Sequence, residues 1–287
     1  MISIVIASVK KEYLDQISAN IAETVGIPFE IISFDNSNGV KGLCEVYNLG
    51  TQQAKFDLIC FMHEDVAIST VNWGKFVANA FDQDEQLGLI GLAGSSYKSV
   101  APSGWFCNGG PQKINYINLL QRYKFDEVKT FHNCQNPRNE SLSTVVSVDG
   151  VWFCTRKSVA LKYPFDQHTF KKFHCYDIDF SLSIYPEFKS AVTFDILLEH
   201  FSEGNYDRTW IEETIKLYKK WQPILPINLE GLTNAEINIS EKHAFRFFLQ
   251  QMRLAGFGKA ERLKVLMNSK IYNKIGFALF AKLCMEA

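Results

Sequence analysis

The chain has 287 residues, of which 47% are hydrophobic and 21% charged, and its formal net charge is -1. This length and apolar content can bury a large core and exclude a disordered chain, and the near-zero charge leaves no global attraction for nucleic acid. Seven cysteines without a C-x-x-C pair favour a reducing, cytoplasmic compartment over a disulfide framework or a structural zinc site.

The first 65 residues alternate between apolar runs and amphipathic segments. Strands are predicted over residues 2–9, 29–34 and 58–62, with helices over 11–24 and 43–54. This β-α-β-α-β order predicts parallel strands with right-handed crossovers. The first run is predicted to be a strand rather than a signal peptide, because no basic segment precedes it. No uncharged run reaches the length that spans a bilayer.

Polar residues follow the second and third predicted strands. Asp35 ends the second strand, and His63, Glu64 and Asp65 end the third. Because the carboxyl ends of parallel strands share one rim of the sheet, these groups can face one ligand, such as a ribose or a base. The alternative is a polar exit that faces water. Neither a dinucleotide fingerprint nor a P-loop is present, which argues against NAD-dependent and P-loop chemistry.

The middle of the chain contains one acidic residue inside an apolar run. Residues 71–99 predict a helix and then a strand, whereas residues 95–138 read as an irregular segment. Residues 145–155 predict a strand interrupted by Asp149 and Gly150. A carboxylate there is costly unless it is satisfied, so Asp149 either caps backbone groups or faces a site; the site is favoured.

Further polar residues stand at the ends of later elements. Asp177 and Asp179 lie at the start of a predicted helix, where capping alone can explain both. A carboxylate held at the crevice can instead serve as a general base for a hydroxyl group. A strand predicted over residues 191–198 precedes His200, which is either a polar exit or a ligand.

The C-terminal part is predicted to be helical. A helix over residues 209–221 is closed by prolines, and residues 240–287 read as two or three short helices with mostly basic charge. This change in character divides the chain into a first domain over residues 1–225 and a helical extension over 226–287. The extension is predicted to cap the core; a dimer element and a surface beside anionic lipid are the alternatives.

These segments resemble the GT-A fold glycosyltransferases of the family 2 type over about residues 1–225. The likeness lies in elements that follow the family's order: the opening strand with Ala7 where proline is usual, the strand ending in Asp35, and the helix that carries Asn48 and Gly50. The resemblance implies an α/β fold of GT-A type, which is a three-layer α/β/α sandwich with a mostly parallel central sheet, followed here by C-terminal helices.

Two motifs of that family occur here with an acidic residue replaced in each. In the D-x-D metal motif, His63 replaces the first acid and Asp65 retains the second. In the E-D-x-D-L element, Tyr176 replaces the glutamate, and Asp177 matches the catalytic base of inverting enzymes. His200 stands where many GT-A enzymes have a further metal ligand. The resemblance thus implies Asp65 and His200 as ligands of Mn²⁺ or Mg²⁺, and Asp177 as the base.

The implied activity is transfer of a hexosyl or N-acetylhexosaminyl group from a nucleotide-diphosphate sugar to a hydroxyl of a glycan or lipid-linked acceptor. The transfer is expected to invert the anomeric configuration and to belong to polysaccharide biosynthesis. The expected donor contacts are Ala7, Ser8, Asp35, Asn48, His63 and Glu64. The expected sugar and acceptor contacts are Asp149, Gly150, Trp152, Tyr176 and Asp179, with core packing as the alternative for Trp152. A loop that begins at residues 202–204 is expected to close over the diphosphate.

Two other functions stay open at this point. The altered His-Glu-Asp triplet fits a non-catalytic relative that binds nucleotide sugars or glycans. A nucleotidyltransferase-like enzyme is the second alternative, although such enzymes carry a glycine-rich loop after the first strand, and none occurs here. The expected location is the cytoplasm, with peripheral contact to the inner face of the membrane through the C-terminal helices as a variant.

Overall fold

A computed structural model describes residues 1–122, 130–201, 204–269 and 271–287. Its strands within these ranges are β1 (Ile2–Ser8), β2 (Phe29–Asp35), β3 (Leu58–Met62), β4 (Val66–Ile68), β5 (Leu87–Gly91), β6 (Ala93–Ser95), β7 (Tyr97–Lys98), β8 (Asn115–Gln121), β9 (Phe131–Gln135), β10 (Leu142–Val145), β11 (Ser147–Val148), β12 (Trp152–Arg156), β13 (Lys189–Thr193), β14 (Leu198–His200) and β15 (Ile227–Asn228). Its helices are α1 (Lys11–Thr24), α2 (Leu43–Gln53), α3 (Trp73–Gln83), α4 (Lys157–Lys162), α5 (Tyr176–Ile184), α6 (Arg208–Trp221), α7 (Asn234–Leu254), α8 (Lys259–Ser269), α9 (Tyr272–Ile275) and α10 (Phe277–Glu286), with a 3₁₀ helix at Gln112–Ile114.

A seven-stranded sheet in the order β10-β13-β5-β12-β3-β1-β2 forms the centre of the fold. β1 is parallel to both β2 and β3, and β13 is parallel to β5, while β12 runs antiparallel between β3 and β5. Most strands of this sheet therefore share one direction, and helices follow at the C-terminus. This arrangement confirms the predicted α/β fold with a mostly parallel central sheet.

Two apolar cores cover the two faces of this sheet. Because successive side chains of a strand point to opposite faces, Ile59 and Phe61 enter one core while Cys60 and Met62 enter the other. The first core contains side chains of α2, α5, α6 and the C-terminal helices. The second contains side chains of α1 and α3. Helices on both faces explain why β3 is an uninterrupted apolar run.

A second sheet of six strands has the order β11-β6-β8-β14-β4, with β9 paired to β8. The prediction of an irregular segment at residues 95–138 is therefore wrong for its described part, which contains β7, the 3₁₀ helix, β8 and β9. The strand predicted over residues 191–198 is also divided, because β13 belongs to the central sheet and β14 to the second. Between them, the Asn118 side chain donates hydrogen bonds to the carbonyl groups of Phe194 and Ile196.

The C-terminal helices pack on the same core as the central sheet. α7 begins with a capping box between Thr233 and Glu236, and its Phe245 and Phe248 are fully buried. With 21 residues, α7 is longer than the short helices that the sequence predicted. In the described part of the chain, no helix combines the length and apolarity needed to cross a bilayer. All seven cysteines are free thiols, as expected.

Candidate active site

Four segments meet at the rim where β1 and β3 end. The His63 amide donates to the Val151 carbonyl at 3.0 Å, which joins the end of β3 to the turn before β12. The Phe201 amide donates to the Asp65 carbonyl at 3.0 Å, which joins the same strand exit to the end of β14. The start of α5 completes the rim through a Tyr176 hydrogen bond to His63. Main-chain pairing thus brings distant parts of the sequence together.

His63, Asp65 and His200 form the candidate metal site. One potential ligand atom of each lies within 4.8 Å of the others. His63 Nδ1 and His200 Nε2 are 3.8 and 3.9 Å from Asp65 Oδ1. Two atoms bound to one divalent ion at about 2.1 Å lie at most about 4.2 Å apart, so small side-chain rotations suffice to close this group on an ion. Two imidazoles and a carboxylate suit a first-row divalent cation.

The protonation of His63 fits a ligand role. Burial lowers the pKa of this imidazole, outweighing the opposing effect of Asp65 and Glu64. The ring is therefore neutral at pH 7, and a neutral imidazole is the form that binds metals. The Phe173 ring lies 5.3 Å from the His63 ring and covers part of it.

Asp149 and Asp177 form an acidic pair beside the metal site. The Asp177 carboxyl group is buried, and burial together with the Asp149 charge raises its pKa to about 7, although backbone N–H groups of Ile178 and Gly150 oppose this shift. Burial also raises the pKa of Asp149, which accepts a hydrogen bond from the Val151 amide at 2.8 Å. A carboxyl group with a pKa near 7 is suited to accept a proton from a hydroxyl group.

Three of the expected donor residues, Ala7, Ser8 and Asp35, lie together at the ends of β1 and β2. Ala7 pairs with Phe34, and Ser8 with Asp35. The Asp35 carboxylate is exposed, and hydrogen bonds from Ser37 lower its pKa. This carboxylate is therefore charged and accessible to a ligand.

Glu64 points away from the candidate metal site and binds the turn after β1. Its carboxylate accepts hydrogen bonds from the Ser8 hydroxyl at 2.7 Å and from the Val9 and Lys10 amides at 3.0 and 3.1 Å. These bonds fix the end of β1 against the end of β3. Glu64 therefore shapes the donor side of the rim.

Asn48 and Asp179, also expected at the site, are bound to other parts of the protein. The Asn48 amide group donates to the Phe165 carbonyl and accepts from the Phe165 amide, both at 2.9 Å. Asp179 accepts hydrogen bonds from Trp221 Nε1 at 2.7 Å and from Lys220 Nζ at 2.9 Å, which hold α6 against α5. The hydrogen-bonding groups of both residues thus serve the scaffold.

The expectation that Trp152 contacts a sugar needs correction. This side chain is fully buried, and its ring meets that of Trp73 at 5.7 Å in an edge-to-face arrangement. As the first residue of β12, Trp152 enters the second core, so neither face of its indole is accessible. Two residues of the expected diphosphate loop, Ser202 and Glu203, lie outside the described residues.

Two aromatic residues lie beside Asp149, and one of them, Tyr206, was not assigned to this site from the sequence. The Trp105 side chain lies beside Asp149 and lowers the pKa of that carboxyl group against the effect of burial. Tyr206 interacts electrostatically with Asp149 and packs on Trp210 and Phe247, with 45% of its surface exposed. An aromatic residue in a polar loop gives no sequence signal of such a position.

Comparisons with known proteins agree with this architecture. Residues 3–217 match the model of the family described as "Glycosyltransferase like family". The fold is similar to the crystal structure of GalNAc-T7 with UDP, GalNAc and Mn²⁺, with a TM-score of 0.55 at 11% identity over 98% of this chain and 56% of that one. It is also similar to S. aureus TarS 1-349, with a TM-score of 0.50 at 13% identity over 99% of this chain and 90% of that one.

This chain spans 56% of the length of GalNAc-T7. No curated protein sequence matches it. The family match extends from the second residue of β1 into α6 and so includes every group of the candidate active site. The chain therefore belongs to the glycosyltransferase-like family, and its fold is that of the GT-A glycosyltransferases.

Proposed function

We propose that this chain is an inverting, metal-assisted glycosyltransferase. It moves a hexosyl or N-acetylhexosaminyl group from a nucleotide-diphosphate sugar to a hydroxyl of a glycan or lipid-linked acceptor. The observation that carries this proposal is that His63, Asp65 and His200 form a cation-sized group at the same rim as the buried Asp177. Family membership and the UDP, GalNAc and Mn²⁺ bound by GalNAc-T7 support a nucleotide-sugar donor.

The ligand atoms of the candidate metal site favour Mn²⁺ over Mg²⁺. Mg²⁺ is bound mostly by oxygen atoms, whereas His63 and His200 offer two imidazole nitrogens beside one carboxylate of Asp65. When bound, the cation supplies charge stabilisation for the diphosphate that leaves. The exposed Asp35 carboxylate and its neighbours Ala7 and Ser8 would hold the ribose and base at the ends of β1 and β2.

Asp177 would act as the general base. The acceptor oxygen forms the new bond to the anomeric carbon while the bond from that carbon to the diphosphate breaks, and the hydroxyl proton passes to the Asp177 carboxylate. One base and one displacement give inversion. The raised pKa of Asp177 supports this role, because a base with a pKa near 7 is both deprotonated and basic at neutral pH.

The cellular context is a separate part of the proposal. Seven free thiols support a reducing compartment, so we place the activity in the cytoplasm, in polysaccharide biosynthesis. The division into a catalytic domain over 1–225 and an extension over 226–287 is supported by the purely helical structure from Asn234 onward within the described residues. Contact of that extension with a membrane surface stays a variant of this proposal.

Calorimetric binding of a panel of nucleoside diphosphates, with and without Mn²⁺, tests the proposal. We expect one nucleotide to bind in a metal-dependent manner, and Asp65→Ala to abolish the metal dependence. Asp15→Ala is the matched control, because Asp15 is an exposed carboxylate on α1 that pairs with Lys11. If no nucleotide binds under either condition, the proposal is wrong. Binding without consumption of any sugar nucleotide would favour the non-catalytic alternative.

A further inference from the structure

We infer that Tyr176 is a positioning residue that fixes the Nε2–H tautomer of His63 and thereby directs the Nδ1 lone pair of that ring toward the metal position. This role rests on the metal-assisted function proposed above. The Tyr176 hydroxyl lies between two groups: His63 Nε2 at 2.8 Å and the Gly150 carbonyl oxygen at 3.1 Å. Both distances are those of hydrogen bonds.

The direction of these two bonds follows from the available hydrogens. A tyrosine hydroxyl has one hydrogen to donate, and a carbonyl oxygen can only accept. Tyr176 therefore donates to Gly150, and its oxygen accepts the hydrogen on His63 Nε2. The reverse direction would set the Tyr176 and Gly150 oxygens against each other without a hydrogen between them, and an unsatisfied buried polar group costs about 1–3 kcal/mol.

This arrangement decides which nitrogen of His63 can bind a metal. With the hydrogen on Nε2, the Nδ1 atom carries a lone pair, and Nδ1 is the atom that lies 3.8 Å from Asp65 Oδ1. In the other tautomer, a hydrogen on Nδ1 would occupy that direction and exclude the ion. The hydrogen bond made by one ring nitrogen thus prepares the other as a ligand.

The surrounding residues hold the Tyr176 hydroxyl in place. A Cβ atom at Gly150 would lie 2.1 Å from the hydroxyl oxygen, so only glycine leaves room for this contact. The Tyr176 ring is 4% exposed and meets the rings of Tyr47 and Phe153 at 5.4 and 6.4 Å. The ring cannot turn away from His63 without disrupting the first core.

Two measurements on Tyr176→Phe test this role. Long-range ¹H–¹⁵N spectra of the imidazole rings, recorded on the metal-free protein and assigned with His63→Gln, report the tautomer directly. We expect the Nε2–H form in the wild type and a mixture in the variant. We also expect the variant to bind Mn²⁺ about 10–100-fold more weakly in calorimetry, as for other residues that orient a ligand.

Tyr116→Phe is the matched control. Tyr116 is also fully buried, and its hydroxyl donates a hydrogen bond of 3.1 Å to Glu230, away from the metal group. This control should leave both the His63 tautomer and the Mn²⁺ affinity unchanged. The comparison separates loss of a buried hydroxyl in general from loss of the contact with His63.

Each outcome decides between the inference and the proposed function. An Nδ1–H tautomer in the wild type overturns the inference, and this spectrum needs no variant that must fold. Equal Mn²⁺ affinity in Tyr176→Phe and the wild type also overturns it, while the proposed metal site stands. If the wild type binds no Mn²⁺ at all, both the metal-assisted function and the role of Tyr176 are wrong.

Discussion

We expect ionisation of the buried Asp177 carboxyl group to make the stability of the fold depend on pH. Burial and the nearby Asp149 charge raise its pKa from 3.8 to about 7. Between these values the folded state retains a proton that the unfolded chain has released, so the free energy of unfolding falls as pH rises through this window. Raising the pKa of one carboxyl group from 3.8 to about 7 lowers the free energy of unfolding by about 4 kcal/mol at pH values above 7.

Asp177→Asn removes this ionisation and keeps an oxygen that can accept hydrogen bonds. We expect the variant to gain stability relative to the wild type by about 1.4 kcal/mol per pH unit between about pH 5 and pH 7, with a plateau above that range. Urea unfolding from pH 5 to 8.5 in the presence of a chelator measures the difference. A chelator is needed because a bound cation would itself stabilise the charged carboxylate.

Asp166→Asn is the control for this experiment. Burial raises the pKa of Asp166, but hydrogen bonds from Lys220 and Thr169 outweigh it and lower the pKa to about 2. Asp166 is therefore ionised in both the folded and unfolded states above pH 5, and its stabilising effect is lost only as pH falls toward 2. The stability difference for Asp166→Asn should be flat over the measured range. A flat difference for Asp177→Asn as well would refute the raised pKa.

Three further substitutions have definite expected results. Gly150→Ala places a Cβ atom 2.1 Å from the Tyr176 hydroxyl, and we expect a loss of about 1–3 kcal/mol in unfolding free energy together with weaker Mn²⁺ binding in calorimetry. Glu64→Gln removes the charge that binds the turn after β1; urea unfolding should show a loss of about 1–3 kcal/mol. Trp152→Phe leaves a void beside Trp73, and thermal unfolding should reveal lower stability while donor affinity, measured by calorimetry, stays unchanged. An altered donor affinity at full stability would contradict the core position of Trp152.

Much of the fold could be predicted because its main elements have clear apolar periodicity. The helix predicted over residues 11–24 is α1 as observed, and the first three predicted strands are the parallel β1, β2 and β3. Once those strands are parallel, their carboxyl ends must share a rim. The approach of Asp65 to His200 could be anticipated from the resemblance, since each residue stands at the end of its strand.

The second sheet could not be predicted from local pattern. β8 contains Asn115 and Asn118, which read as loop residues in the sequence. In the structure both are buried and hydrogen bonded to backbone groups, so long-range pairing satisfies them where a local pattern cannot. β8 forms only because β6, β9 and β14 lie beside it.

The direction in which individual side chains point was the other property that the sequence pattern did not predict. Trp152 was placed on the correct strand, but its position in the alternation of β12 sends the indole into the second core. Asp179 follows Asp177 by two residues on α5, and residues two apart on a helix point to different sides. Asp177 therefore faces Asp149 and the Gly150 backbone, while Asp179 faces Lys220 and Trp221.

The two residues that replace an acid of the motifs this chain resembles, His63 and Tyr176, are in contact with each other. Acids at both positions would place two negative charges on the same rim, and like charges disfavour each other. Imidazole and phenol replace that repulsion with a neutral hydrogen bond. The metal group then contains one carboxylate, that of Asp65, so a divalent cation held there retains positive charge. That remaining charge would favour an anionic diphosphate, the leaving group of the proposed reaction.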